Sequence, residues 1–210
     1  MKGYFISVEG SDGSGKSTQL KNIVAYLERI ERDMVVTREP GGTPLSEKIR
    51  DLLLDPENKE MTSITEMLLY AAARAQHVEE KIIPALGEGK VVLTDRFVDS
   101  SVAYQGYGRG LGDVVWEVNK IATAGVMPDL TIFLDLPYEL GIERKKNEEG
   151  HVLDRLELQQ SAFHKRVYNG YLEVCKKEGK RIQRIDASKS PEDVFLEIEE
   201  VLNALFGLEK

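Results

Sequence analysis

The 210-residue chain predicts an α/β fold, one domain over residues 1–210 with a five-stranded parallel sheet flanked by helices on both faces. Three observations carry this. Five short runs rich in β-branched or aromatic residues alternate with helical patterns, and strand–helix–strand repetition implies parallel pairing through right-handed crossovers. Two of the runs, residues 91–95 and 130–134, are nearly continuous in apolar character, as central strands covered on both faces must be. Four of the runs end on or beside an acid (Glu9, Glu39, Asp95, Asp135), which gathers polar groups at the sheet edge where open α/β folds hold ligands.

In chain order, the strands are expected at 4–9, 34–38, 91–95, 130–134 and 181–186. Helical patterns fill 17–30, then 44–54 with Pro44 at its start, then 63–83 and 113–124. Further helices are expected at 137–149, 157–177 and 191–206, the last with Ser190 as N-cap. Asp135, followed by Leu136-Pro137, reads as an N-cap-like residue. Residues 145–152 are highly charged and carry Gly150, so they read either as a mobile surface flap or as a solvated helix end.

The totals exclude several classes. Net charge is −8, so the surface as a whole repels a polyanion and nucleic acid is not an expected partner. Cys175 is the only cysteine, which rules out a disulfide within the chain, and it reads as a buried spectator. The start runs straight into a strand and no apolar run approaches a membrane span, so the cytoplasm is the expected location. His77, His151 and His164 show no metal-ligand spacing and are assigned no role. Trp116 on the 113–124 pattern reads as helix packing or a subunit contact.

The most specific signal is Gly10-Ser11-Asp12-Gly13-Ser14-Gly15-Lys16-Ser17-Thr18, a complete G-x-x-x-x-G-K-[ST] loop between a strand and a helix. This is a phosphate-binding loop (P-loop). Its glycines let backbone N–H groups turn inward, Lys16 brings a cation to the outer phosphates, and the Ser17 hydroxyl suits Mg²⁺. Asp12 is an unusual acid in an anion cradle and implies a cation or a substrate hydroxyl nearby. The strand at 91–95 delivers Asp95 to the same edge, where P-loop proteins place a carboxylate near the metal. Arg96 follows, either to clamp a second phosphate or as a structural ion pair. The segment 97–106 mixes hydroxyls, an amide and an aromatic (Ser100, Ser101, Tyr104, Gln105) and calls for a polar ligand. The turn at 37–43 contains Glu39-Pro40-Gly41-Gly42 and leads into a helix bearing Arg50. Tyr70 and Arg74, four residues apart on one helix face, either enclose a planar heterocycle or form a core tyrosine with an arginine rim. Arg144-Lys145-Lys146 and Leu153-Asp154-Arg155-Leu156-Glu157 bracket a lid segment at about 144–157, with Lys145 and Lys146 read as solvated surface charge.

Four of these signatures coincide in order: the loop at 10–18, the turn at 38–43, the Asp95-Arg96-Phe97 segment through Gly106, and the lid at 153–157. The chain therefore resembles the thymidylate kinase family from its first strand to its last helix. The resemblance implies a P-loop NTPase fold with a mobile lid, and transfer of the ATP γ-phosphoryl group to dTMP with Mg²⁺. It implies Gly10–Thr18 for ATP, Ser17 and Asp95 for the metal, and Arg96 and Arg50 for the dTMP phosphate. Glu39, Pro40 and Ser100 fall in the dTMP site, Tyr70 takes the place of the ring stacked on thymine, and Arg74, Ser101 and Gln105 that of the base readers. Tyr104 takes the position that crowds the sugar, and Asp12 that of the carboxylate near its 3′-hydroxyl. Some relatives carry a catalytic Arg in the loop, but Ser11, Asp12, Gly13 and Ser14 hold those positions here, so the resemblance points to lid cations, Arg144 and Arg155. Loss of Arg155 is then expected to lower kcat about a hundredfold. Relatives of that type also carry Arg just before the lid glycine, where this chain has Glu148 and Glu149. The family is homodimeric, and the apolar face of 113–124 is the expected contact. A GTPase-type switch is disfavoured, because Asn119-Lys120-Ile121-Ala122 lacks the N-K-x-D aspartate. Another nucleoside monophosphate kinase would share the fold and the ATP site.

Overall fold

The computed structural model describes residues 2–147 and 153–208. A parallel sheet of five strands has the order β2-β3-β1-β4-β5, with β1 Tyr4–Glu9, β2 Met34–Arg38, β3 Val91–Asp95, β4 Leu130–Asp135 and β5 Ile182–Asp186. Between them lie α1 Lys16–Arg29, α2 Pro44–Leu54, α3 Ser63–His77, α4 Ile83–Gly87, α5 Val98–Ser101, α6 Val114–Ala122, α7 Tyr138–Lys146 and α8 Ser161–Lys177, and α9 Pro191–Phe206 follows β5. Register aligns the carboxyl ends: Asp95 pairs with Val8 on one side and with Arg38 on the other.

The side-chain alternation of the strands divides the core. Ile6 and Val8 point to one layer, where they pack with Leu93, Ile132, Ile23 and Leu27 of α1 and Ile198 and Leu202 of α9. Phe5 points the other way, onto Phe97 and Val92, so Glu9 is delivered to that second layer, where its carboxylate meets α5 and α8.

Local chemistry sets most helix starts. Thr43 and Thr62 accept from the N–H groups of Ser46 and Thr65, and Ser190 caps α9 as expected by accepting from Asp193 at 3.1 Å. Asp135 does not cap α7. Pro137 is the residue before that helix, and Asp135 instead receives Arg184 at 2.6 Å, because the neighbouring edge strand supplies a cation. The pattern at 63–83 is α-helical to His77, passes through a wider π-helical turn at Val78–Ile82 and resumes as α4. The pattern at 157–177 begins only at Ser161, since the Asp154 side chain accepts from the N–H groups of Leu156 and Glu157 and holds a turn there. The end of the 137–149 helix and most of the 145–152 flap, with Glu148, Glu149, Gly150 and His151, lie outside the described residues.

The sequence predicts no secondary structure for the segment 97–106. It is helical, as α5 followed by a π-helical stretch over Val102–Gly108, and its polar groups are buried against protein partners. Asp99 receives Arg181 at 2.7 Å, Ser100 donates to Glu9, Ser101 accepts from Arg74 and Gln105 donates to Glu66. Trp116 is half-buried between the Phe5 layer and the Val102–Val115 cluster, as helix packing requires.

Candidate active site

The β1–α1 loop forms the cradle. A side chain on Gly13 would lie 2.3 Å from the carbonyl oxygen of Gly141, so the absent Cβ is what lets this loop seat against α7. Lys16 is buried, and its Nζ donates to the carbonyls of Gly10 (3.0 Å) and Ser11 (3.2 Å). Burial, with the Arg96 charge beside it, pulls its ammonium down to about 8 against the opposing pull of Asp95 and Asp12. Three buried oxygens here have no protein partner, Ser11 Oγ, Ser14 Oγ and Asp95 Oδ1. Two unspent hydroxyls and an open carboxylate oxygen beside Lys16 suit a phosphate chain and its cation.

Two cavities meet at this edge. The first, about 590 Å³ counting space open to solvent, is lined by Asp12, Glu39, Pro40, Arg50, Tyr70, Arg74, Arg96, Ser100, Ser101, Tyr104 and Gln105, together with Leu54, Asp154 and Leu156. Its wall of aromatic rings, guanidinium groups and an amide suits a nucleoside monophosphate. The second, about 1220 Å³ on the same basis, is lined by Gly13, Gly15, Lys16, Ser17, Thr18, Asp95 and Arg144, with Arg38 and Lys145. Asp12, Glu39, Arg50, Arg96 and Asp154 belong to both walls. Gly10, Ser11 and Ser14 line neither cavity, and the first two offer their carbonyls to Lys16.

Arg96 is the hinge between the cavities. It adopts φ of 68°, uncommon for a residue with a side chain. Its Nη1 donates to Gly10 O (2.8 Å), Tyr171 OH (3.0 Å) and Ser100 Oγ (3.2 Å), and its Nη2 to Asp12 Oδ1 (2.5 Å). Burial raises the Asp12 carboxyl, but Arg96 and Lys16 outweigh it and hold the group down at about 2, so Asp12 is ionised. Tyr104 donates to the other Asp12 oxygen at 3.0 Å. Arg50 donates to the carbonyl of Pro40 at 2.8 Å, and Arg74 is buried in contact with Glu39, Ser101 and Asn119.

Two lid expectations change. Arg155 lines neither cavity: it is buried, donates to Leu53 O at 2.8 Å and pairs with Glu66 at 2.7 Å, a carboxylate that also holds Arg109 and Gln105. Lys145, expected as solvated charge, lines the cradle cavity 3.8 Å from Glu157, and Arg144 stands by the loop at 3.4 Å from Gly13 O. Sequence reasoning missed Tyr171, Glu66 and His77, whose partners lie on other elements, and it gave Glu9 no task beyond ending a strand. Among the described residues no group of three or more His, Cys, Asp or Glu is arranged to hold a metal. Ser17 and Asp95 therefore fit a cation only together with phosphate and water oxygens.

The family model described as thymidylate kinase matches residues 8–198. The thymidylate kinase of Pediococcus pentosaceus is 51% identical over 209 residues, covering 99% of this chain and all of the relative. That of Lactobacillus helveticus is 52% identical over 200 residues, 94% of each chain. The crystal structure of thymidylate kinase from Ehrlichia chaffeensis superposes with a TM-score of 0.77 at 34% identity, covering 97% of this chain and 99% of that one.

Proposed function

The chain belongs to the thymidylate kinase family, and on that premise we propose that ATP places its phosphates in the Lys16 cradle while dTMP fills the Tyr70–Arg74 cavity, head to tail across Arg96. The enzyme transfers the γ-phosphoryl group of ATP to dTMP, giving ADP and dTDP, a step in dTTP biosynthesis. The observation that supports this arrangement most strongly is the shared wall. Asp12, Arg50 and Arg96 border both cavities, so two anions are brought end to end with cations between them.

A 5′-phosphate oxygen of dTMP attacks the γ-phosphorus in line, and the bond to the β,γ-bridging oxygen breaks with ADP as leaving group. The attacking phosphate is already anionic, so positioning and charge neutralisation are the protein's tasks. Arg96 and Arg50 hold the acceptor phosphate, Lys16 the donor phosphates, and Arg144 supplies the lid cation. The Tyr70 ring stacks on the base and Arg74 donates to its carbonyl edge, with Ser101 and Gln105 completing the base wall. Tyr104 occupies the space beside the sugar, and ionised Asp12 accepts its 3′-hydroxyl. Mg²⁺ is the cofactor we assign; the Ser17 hydroxyl and Asp95 would hold it, and it would neutralise charge on the phosphate chain.

One kinase domain accounts for the whole chain, with a lid at about 144–157 of which 148–152 are not described. We further assign a homodimer: α3 packs on both α2 and α6, and these helices expose Leu45, Leu52, Ile64, Leu68, Val114 and Ile121, the last 84% exposed. The cytoplasm, which supplies both nucleotides, is the assigned compartment. Among the described residues no helix is long and apolar enough to cross a membrane. ADP release measured with dTMP, dUMP, AMP, GMP and CMP in turn tests the reading. Turnover should favour dTMP and vanish in Lys16→Ala, whereas preference for a purine monophosphate would refute it.

A further inference from the structure

Behind the base wall runs a chain of buried polar contacts that ends on Arg74. Thr37 Oγ1 lies 2.7 Å from His77 Nε2, and His77 Nδ1 lies 2.9 Å from Glu39 Oε1. Glu39 Oε2 in turn accepts from Arg74 Nε at 2.7 Å, and Arg74 Nη1 donates to Ser101 at 2.8 Å and to Asn119. His77 is fully buried, and Glu39 and Arg74 are 5% and 2% exposed. With Nε and Nη1 engaged in this way, Nη2 is the guanidinium donor these partners leave for a molecule in the cavity.

A guanidinium is a rigid fork, so the direction of Nη2 follows from whatever holds the other nitrogens. Glu39 can do that only if its own carboxylate is held, because the terminal torsion of a glutamate is broad. His77 supplies that second hold. The ring itself is fixed: a Cβ on Gly42, whose φ is 88°, would lie 2.6 Å from its Cδ2 and Nε2, so the glycine turn leaves a slot that the imidazole fills. Facing a carboxylate, Nδ1 is the nitrogen that carries a proton, and Nε2 meets the Thr37 hydroxyl.

We propose that His77 is a positioning residue for base recognition: its Nδ1–H locks Glu39, and Glu39 aims Arg74 at the carbonyl edge of a pyrimidine. The inference rests on the reading of this cavity as the dTMP base site. It goes beyond that reading by assigning base selectivity to a side chain that touches no substrate.

Two isosteric replacements test it. Asn at position 77 keeps a donor near Nδ1 and loses the reach to Thr37, whereas Gln reaches toward Nε2 and loses the donor to Glu39. His77→Gln should raise the KM for dTMP about tenfold or more, with kcat and the KM for ATP within about twofold. It should also shrink the preference for dTMP over dCMP about tenfold, since cytosine presents an amine where thymine presents a carbonyl. His77→Asn should stay within about threefold of the wild type on each measure. Equal damage in both variants, or an unchanged KM and base preference in His77→Gln, overturns the proposal. A measurement on the unaltered enzyme stands beside these: ¹⁵N-labelled histidine spectra should show Nδ1 of His77 protonated, and a proton on Nε2 alone overturns the proposal regardless of how the variants fold. Failure of the wild type to prefer dTMP would instead sink the reading of the cavity, so the two failures are distinct.

Discussion

Arg96 Nη2 donates to Asp12 Oδ1 at 2.5 Å, joining the residue after β3 to the middle of the cradle loop from a left-handed backbone position with φ of 68°. The pair sits where the two cavities share a wall; Nη2 also meets Tyr104 OH at 3.3 Å, and the contacts to Gly10, Ser100 and Tyr171 use Nη1. A residue held at a sparsely populated φ persists only where surrounding contacts over-determine it, and here they do.

Arg96→Lys keeps the charge and loses the fork. It should lower kcat/KM for dTMP about a hundredfold or more, with a small change in the KM for ATP. Steady-state kinetics with each substrate varied in turn checks this, and near-wild-type kcat/KM would show that a point charge suffices.

Arg144 and Arg155 should separate cleanly. Arg144 stands by the cradle, so Arg144→Ala should lower kcat about a hundredfold with little change in Tm. Arg155 is buried against Glu66, so Arg155→Ala leaves a carboxylate in the interior without one of its two cations. Arg109 still faces that carboxylate, so the cost is about 1–3 kcal/mol, a fall in Tm of roughly 3–10 °C. Calorimetry and kcat on both variants decide it; a stable Arg155→Ala with a hundredfold loss of kcat would restore Arg155 to the reacting phosphates.

Glu9 should give the fold a pH dependence. Burial, reinforced by the Asp99 charge, pushes its carboxyl from 4.5 up to about 7, against hydrogen bonds from Ser100 and Phe97. A folded value above the unfolded one means that the native state binds the extra proton. The contribution of this group is therefore complete below about pH 4.5 and is lost as pH rises through 7. Glu9→Gln removes the titration, so the Tm of the wild type minus that of the variant should fall between about pH 5 and 8. A difference that stays flat would mean that Glu9 does not titrate there.

Tyr104 should govern the choice of sugar. Its ring lies against Phe163 and Tyr171, and its hydroxyl is tied to Asp12, so it has no room to withdraw from a 2′-hydroxyl. Tyr104→Ala should reduce the preference for dUMP over UMP about tenfold, read as a ratio of kcat/KM values. An unchanged ratio would move sugar discrimination elsewhere.

What the sequence revealed divides by range. β1, β2 and β3 begin and end where their apolar runs do; β1 and β3, covered on both faces, write their burial into consecutive residues, whereas β2 is a half-exposed edge strand marked by its β-branched run alone. The cradle was legible for a similar reason, since its chemistry is local backbone and adjacent side chains. Tyr171 reaches Glu9 across 162 residues and Arg109 reaches Glu66 across 43, and nothing in either neighbourhood announces the partner. Arg155 was read as a lid cation on the resemblance alone, and nothing in its neighbourhood announces the buried Glu66 with which it pairs. The polar run at 97–106 called for polar company, and much of that company is the protein itself: Arg181 for Asp99, Glu9 for Ser100.

Diffraction from crystals grown with dTMP and ADP together tests the central claim most directly. The thymidine monophosphate should lie with its ring on Tyr70 and its phosphate on Arg96 and Arg50, facing the β-phosphate of an ADP seated over Lys16. A monophosphate bound outside that cavity, or one whose phosphate points away from Lys16, would contradict the account.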